Sequence, residues 1–259
     1  MTLHNRYSFD GKAVLVTGAG SGIGQAIARA FLDSGASVAV VGRRTAKLAE
    51  TLEGYDSERV LAIGADIADP DQAAGIVPQV VDRFGALDVF VNNAAGYINS
   101  PFTEVTTAEW EQLRRTNVDA FVQLAQAALP ELERSGGNLV AVGSVSGLRG
   151  DWGQSFYNAT KAAVMNFIQS LALDYGPKGV RLNAVAPAFT RTEINAGVAD
   201  DEASLAPLVN RIALGRPAVP DDIAPAVLFL ASPDAAYITG AILAVDGGTS
   251  ASTGQAHVG

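Results

Sequence analysis

The sequence predicts a doubly wound α/β protein built on one seven-stranded parallel sheet, and three observations carry that reading. Short apolar runs alternate with helical patterns along the chain. The runs are apolar at successive residues rather than at every second one, as strands covered on both faces require. The 259 residues suit one large core, and no linker divides them.

Residues 13–16, Ala-Val-Leu-Val, form the first strand, and a glycine-rich turn leads into a helix that opens near Ile23 and stops at Ser34-Gly35. The unit then repeats. A strand over 38–41 precedes a polar helix through Lys47 and Leu52, and a strand over 60–63 precedes a helix over 70–84. A fourth strand covers 87–91, followed by a long helical stretch over 107–132 and a strand over 139–142. A helix over 155–175, a strand over 180–185, a helix over 221–230 and a last strand over 242–245 complete a Rossmann-like series. Residues 189–216 break the alternation and are expected to form a lid over the substrate, and residues 249–259 read as a polar tail.

Composition narrows the chemistry. A formal net charge of −9 without a large Lys/Arg cluster argues against a nucleic-acid partner. Without cysteine there is no disulfide, thiolate nucleophile or Cys-ligated metal, and no metal cluster is expected. The only histidines, His4 and His257, lie near the ends, so acid–base work falls to Tyr, Lys, Asp or Glu. Residues 1–12 show no signal-peptide pattern and no stretch stays apolar long enough to span a bilayer, so a cytoplasmic protein without membrane contact is expected.

The first turn places Gly18, Gly22 and Gly24 between strand and helix, in the order G-x-x-x-G-x-G, with Ser21 and Ile23 among them. Glycines allow a sharp turn and a close approach of the backbone to a pyrophosphate, whose charge the helix N-terminus stabilises. At the end of the second strand, where NAD-selective folds carry a carboxylate, stand Gly42, Arg43 and Arg44. A guanidinium pairs with a 2′-phosphate that a carboxylate would repel, so NADP(H) is expected over NAD(H).

Ser144, Tyr157 and Lys161 form the catalytic candidate. Tyr157 and Lys161, four apart in a helix, leave from one face. A free tyrosine has a pKa of about 10, and bringing it near 7 takes roughly 4 kcal/mol. One ammonium about 4 Å away, at an effective dielectric near 20, supplies about that much. Taken singly each residue has a plain structural reading, as a half-buried ring, a solvated lysine and a strand-end serine. Their combination behind a dinucleotide turn points to proton transfer.

Together these residues resemble the short-chain dehydrogenase/reductase family over nearly the whole chain, from about Phe9 to Gly248. The resemblance rests on residues 17–24, Asp66-Ile67, Asn92-Asn93-Ala94, Asn117, Ser144, Tyr157-x-x-x-Lys161, Pro187 with Thr192, and Asp246-Gly247-Gly248. It implies that Asp66 and Ile67 touch adenine, that Asn92, Asn93 and Ala94 brace the cofactor ribose, and that Pro187 and Thr192 lie near the carboxamide. It further implies that Ser144 holds the substrate oxygen, Tyr157 transfers its proton, Lys161 binds the nicotinamide ribose, and Asn117 supports a water relay to Lys161. The family's usual Asn-Asn-Ala-Gly is Asn-Asn-Ala-Ala here, with Gly96 one place later, and its Pro-Gly is Pro187-Ala188.

Residues 144–147, 150–153, 211–216 and 249–255 are similar to acetoin/2,3-butanediol dehydrogenases of the family, a group that generally prefers NAD. The implied substrate is a secondary alcohol or ketone, a vicinal diol or diketone among them, with Ser146, Trp152, Gln154 and Phe189 lining its pocket. A 3-oxoacyl thioester reductase and a sugar or polyol dehydrogenase are the alternatives within the family. A non-catalytic dinucleotide sensor would have no use for Tyr157 and Lys161 together, and an epimerase or dehydratase relative would bring a substrate domain for which this chain has no room. A homotetramer is expected from relatives, and Ala162, Ala163, Met165, Phe167 and Leu171 exceed what one core-facing helix stripe requires.

Overall fold

Seven strands, β1 (Ala13–Thr17), β2 (Ser37–Gly42), β3 (Val60–Gly64), β4 (Val89–Asn92), β5 (Asn138–Val142), β6 (Arg181–Pro187) and β7 (Ile242–Val245), form one parallel sheet in the computed structural model, which describes residues 7–199 and 201–253. Their order is β3-β2-β1-β4-β5-β6-β7. The chain therefore leaves β1 toward one edge and returns beside it at β4, and a crevice opens at the carboxyl ends of these two strands. His4, His257 and residues 254–259 of the expected tail lie outside the described residues.

Alternate strand residues feed opposite cores. Leu15 and Phe90 face one layer with Phe121, Leu124 and Ile168, while Val14, Val16 and Val91 face the other with Ile27, Phe31, Ile223 and Val227. Apolar burial on both sides is what made these strands read as unbroken apolar runs. The helices are α1 (Gly22–Asp33), α2 (Thr45–Leu52), α3 (Pro70–Ala74), α4 (Ile76–Phe84), α5 (Thr107–Arg114) and α6 (Ala120–Ser135). After them come α7 (Val145–Leu148), α8 (Ser155–Tyr175), α9 (Ala196–Ala199), α10 (Glu202–Val209) and α11 (Pro220–Ala231).

Three expectations change. The helix expected over 70–84 is two helices hinged at Gly75, because Pro78 has no N–H to offer the Ala74 carbonyl. The stretch over 107–132 is interrupted by a π-helical turn, Arg115–Asp119, and continues to Ser135, where Gly136 in the left-handed region ends it. Residues 189–216, for which no helix was expected, hold α9 and α10, and the short α7 directly after Ser144 has no counterpart in the sequence reading.

Candidate active site

The crevice is an open cleft of about 2230 Å³. That is more than twice the roughly 1,000 Å³ at the upper end of small-molecule pockets, so a dinucleotide and a substrate fit side by side. The glycine turn builds one end. Gly18 and Gly22 have φ of +66° and +57°, and a Cβ on Gly18 would lie 2.8 Å from the Ala94 Cα. A Cβ on Gly24 would overlap the Gly18 carbonyl oxygen and the Asn93 amide. Ser21 sits at the N-cap of α1 without capping it, and no acidic residue occupies the first turn. The amides of that turn are thus left for an anion, as a pyrophosphate requires.

Asn93 locks the turn from behind. Its side-chain amide donates to the carbonyl oxygens of Thr17 (2.9 Å) and Gly18 (3.2 Å), while the Thr17 hydroxyl accepts from the backbone of Asn93 and Ala94. Thr17 is a site residue the sequence reading missed. Asn92 is buried at the end of β4, behind the cleft lining, whereas Asn93 and Ala94 line it. Asp66 and Ile67 lie on the cleft wall past the end of β3.

Arg43 and Arg44 both reach the cleft but differ in state. Arg44 donates to Ser21 Oγ (3.1 Å) and pairs with Glu193, in the segment after β6 (3.0 Å). Arg43 forms no ion pair among the described residues. Glu193, absent from the sequence reading, is held below the usual carboxylate range by the Arg44 guanidinium. Beside it the Thr192 methyl sits 3.1 Å from where a Gly22 Cβ would stand, so the segment after β6 lies against the glycine turn.

Ser144, Tyr157 and Lys161 converge on the other wall. Ser144 lies two residues past the end of β5 and caps α7: its Oγ accepts from the Ser146 N–H at 3.1 Å, leaving the hydroxyl proton to donate elsewhere. Lys161 is 6% exposed and its Nζ donates to the Val142 carbonyl oxygen at 2.8 Å. Burial lowers its pKa to about 8.

The expectation that Lys161 acidifies Tyr157 is not met in this arrangement. Burial pushes the Tyr157 phenol up to about 12, a hydrogen bond with Ser144 pulls it down, and Tyr97 raises it further. The ammonium is turned toward Val142 and stands 5.7 Å from the phenol ring centroid. Tyr97 packs edge-on against Tyr157 at 5.1 Å and was not anticipated.

Asn117 occupies the π-helical turn, buried and outside the cleft lining. Its Oδ1 accepts from the Gly96 N–H (2.7 Å), and its Nδ2 donates to the Gly96 carbonyl (3.1 Å) and to Thr160 Oγ1 (2.9 Å). Both amide hydrogens are spent on these bonds, and the side chain fastens the Ala95-Gly96 bend to α8. Thr160 Oγ1 passes the link on by donating to the Tyr157 carbonyl oxygen at 2.8 Å. Of the expected substrate residues, Ser146, Gln154 and Phe189 line the cleft, while Trp152, 89% exposed, stands at its rim. Pro187 closes β6 beside them.

A phosphate-accepting turn at one end of a cleft and a buried Ser/Tyr/Lys wall at the other define a dinucleotide-dependent oxidoreductase. Comparison with known proteins makes this specific. A family model described as enoyl-(acyl carrier protein) reductase matches residues 18–250. Meso-2,3-butanediol dehydrogenase of Serratia marcescens is 36% identical over 250 residues, 96% of this chain and 99% of that one. The 3-oxoacyl-[acyl-carrier-protein] reductase FabG of Vibrio cholerae is 36% identical over 245 residues, covering 93% and 98%. A short-chain dehydrogenase of Burkholderia cenocepacia, crystallised in complex with NADP, superposes with a TM-score of 0.88 at 36% identity, covering 95% of this chain and all of that one. The chain belongs to the short-chain dehydrogenase/reductase family.

Proposed function

We propose that the protein transfers a hydride between NADP(H) and a secondary alcohol or its ketone, vicinal diols and diketones included. The observation that carries this is the convergence of Ser144, Tyr157 and Lys161 on one wall of a cleft whose far end is the glycine turn. The dinucleotide, when bound, supplies the hydride in reduction and accepts it in oxidation, and in its oxidised form brings a positive charge. Gly18, Ser21, Gly22, Ile23 and Gly24 hold its pyrophosphate, Asp66 and Ile67 flank the adenine, and Ala94, Pro187 and Thr192 border the nicotinamide half. The uncapped amides of α1, with no acidic residue in its first turn, fit that group.

In reduction, the Ser144 hydroxyl donates to the substrate oxygen where negative charge develops, and Tyr157 Oη delivers a proton to the same oxygen. In oxidation Tyr157 would act as the phenolate, favoured by the Ser144 hydrogen bond and by the positive charge of the oxidised dinucleotide, and so take the hydroxyl proton as the carbon–hydrogen bond breaks. Lys161 holds a positive charge on the floor of the site, and Asn117 acts through Gly96 and Thr160 as a positioning residue. Arg43 takes the 2′-phosphate of NADP(H), and Arg44 joins it when released from Glu193. The NADP-bound relative supports this choice.

The test is turnover of purified protein over ketones, diketones, sugars and acyl thioesters with NADPH and NADH, repeated with Tyr157→Phe. The variant should bind dinucleotide normally and lose at least about 10²-fold in turnover. Activity within a few-fold of the parent would assign the acid elsewhere. A 3-oxoacyl thioester is the second reading, favoured by the Vibrio cholerae relative, and the same panel decides it.

The substrate partner is a small molecule, the compartment proposed is the cytoplasm, and the assembly proposed is a homotetramer. On α8, Phe167 is 39% and Leu173 79% exposed, which supports association through this helix. Met165 of the expected interface set lies in the core under Gly143 and does not contribute. Light scattering on the purified protein measures the assembly directly, and a monomer at micromolar concentration would overturn it.

A further inference from the structure

The Asp151 carboxylate stands in the cleft beside the catalytic wall, and nothing in the hydride-transfer chemistry uses it. It belongs to the loop between α7 and α8. Other groups already hold that loop. Asn158, with its amide oriented to satisfy both neighbours, accepts from the Asp151 N–H (2.9 Å) and donates to the Gln154 carbonyl (3.1 Å). Ser100 N–H donates to the Gly153 carbonyl at 2.8 Å. One carboxylate oxygen, Oδ1, accepts locally from the Trp152 N–H at 2.9 Å.

The other oxygen is the informative one. Asp151 Oδ2 accepts from Ser146 Oγ and from Gln154 Nε2, both at 3.2 Å. Charge-assisted bonds of these kinds normally settle at about 2.5–2.7 Å from a hydroxyl and about 2.7–2.9 Å from an N–H. Two long bonds leave Oδ2 room to accept a further donor, and because the residue is exposed a ligand hydroxyl that reaches it takes the place of water. No Lys or Arg among the described residues forms an ion pair with it.

A single residue, Ser146, joins this carboxylate to the reaction centre: its N–H donates to Ser144 Oγ at 3.1 Å and its hydroxyl to Asp151 at 3.2 Å. The two oxygens are thus at most about 10 Å apart, the sum of the two hydrogen bonds and the span of one serine. Within that limit, one small molecule can hydrogen-bond at both ends if its second hydroxyl lies within a few carbons of the reacting one. An uncompensated carboxylate accepts from such a hydroxyl and repels an anionic group placed there.

We infer that Asp151, steadied by Ser146 and Gln154, is a substrate-recognition residue that binds a second hydroxyl, so that the substrate is a neutral polyhydroxylated alcohol such as a diol or sugar. This rests on the hydride-transfer reading above and names the substrate class for the same site.

The experiment compares kcat/KM for meso-2,3-butanediol and a neutral pyranose with that for 2-butanol, which lacks the second hydroxyl. The parent should favour the polyhydroxylated substrates, and Asp151→Asn should lower that selectivity ratio about 10- to 100-fold, as expected for losing a hydrogen bond to a charged group. Gln154→Leu should lower it severalfold and serves if Asp151→Asn fails to fold, as judged by melting and dinucleotide titration. A ratio within threefold of the parent in the folded variants, or a parent with no preference over 2-butanol, overturns the role of Asp151 and leaves the oxidoreductase reading standing. A parent that turns over no alcohol or carbonyl with either dinucleotide overturns both.

Discussion

Replacing Lys161 by methionine should leave the protein more stable at neutral pH while removing most of its activity. Burial holds the folded-state pKa at about 8 against an ordinary value of 10.5. Below pH 8 both the folded and the unfolded chain carry the proton, and the folded state bears the full desolvation cost, about 3 kcal/mol from the difference in pKa. Between pH 8 and 10.5 the folded protein sheds the proton while the unfolded chain keeps it, so the cost fades as pH rises. Methionine is unbranched and apolar and fits the same channel. It leaves the Val142 carbonyl without its donor, which offsets about 1 kcal/mol. The net gain near pH 7 is then about 2 kcal/mol, or roughly 4–8 °C in Tm for a chain of this size. Calorimetry of parent and variant without dinucleotide at pH 7 and pH 10 reads this directly. The variant's advantage should shrink or reverse at the higher pH, as the parent loses its penalty. An advantage equal at both pH values, or a variant less stable at pH 7, would refute the claim that Lys161 sits in the site as a costly buried charge.

Arg43→Ala should raise the KM for NADPH about tenfold or more and move that for NADH little, because a guanidinium–phosphate pair is lost only with the first cofactor. Arg44→Ala should act more weakly, since Arg44 already serves Ser21 and Glu193; equal losses with both cofactors would count against either arginine reading the 2′-phosphate. Gly24→Ala should weaken dinucleotide binding at least tenfold and lower Tm, because the added Cβ overlaps the Gly18 carbonyl and the Asn93 amide. An unchanged dinucleotide affinity by fluorescence titration would show that the turn yields freely.

Much of the architecture was written in local pattern. The apolar run over 13–16 and its later counterparts gave the strands, because a strand covered on both faces cannot alternate with polar residues. The spacing of Gly18, Gly22 and Gly24 gave the phosphate turn, and the i, i+4 placement of Tyr157 and Lys161 put both on one helix face. Periodicity reports which faces are buried, though, and not which atoms meet. Lys161 turns to the Val142 carbonyl, Asn117 spends its amide on Gly96 and Thr160, and Asp151 meets Ser146 and Gln154 only once the chain is packed. Arg44 and Glu193 lie 149 positions apart, so nothing near either residue in the chain could announce their contact. What the sequence determined by itself was the fold and the reagents of the site. Their protonation and partners were left to tertiary structure, because hydrogen-bond geometry and desolvation depend on what folding brings within a few ångströms of each group.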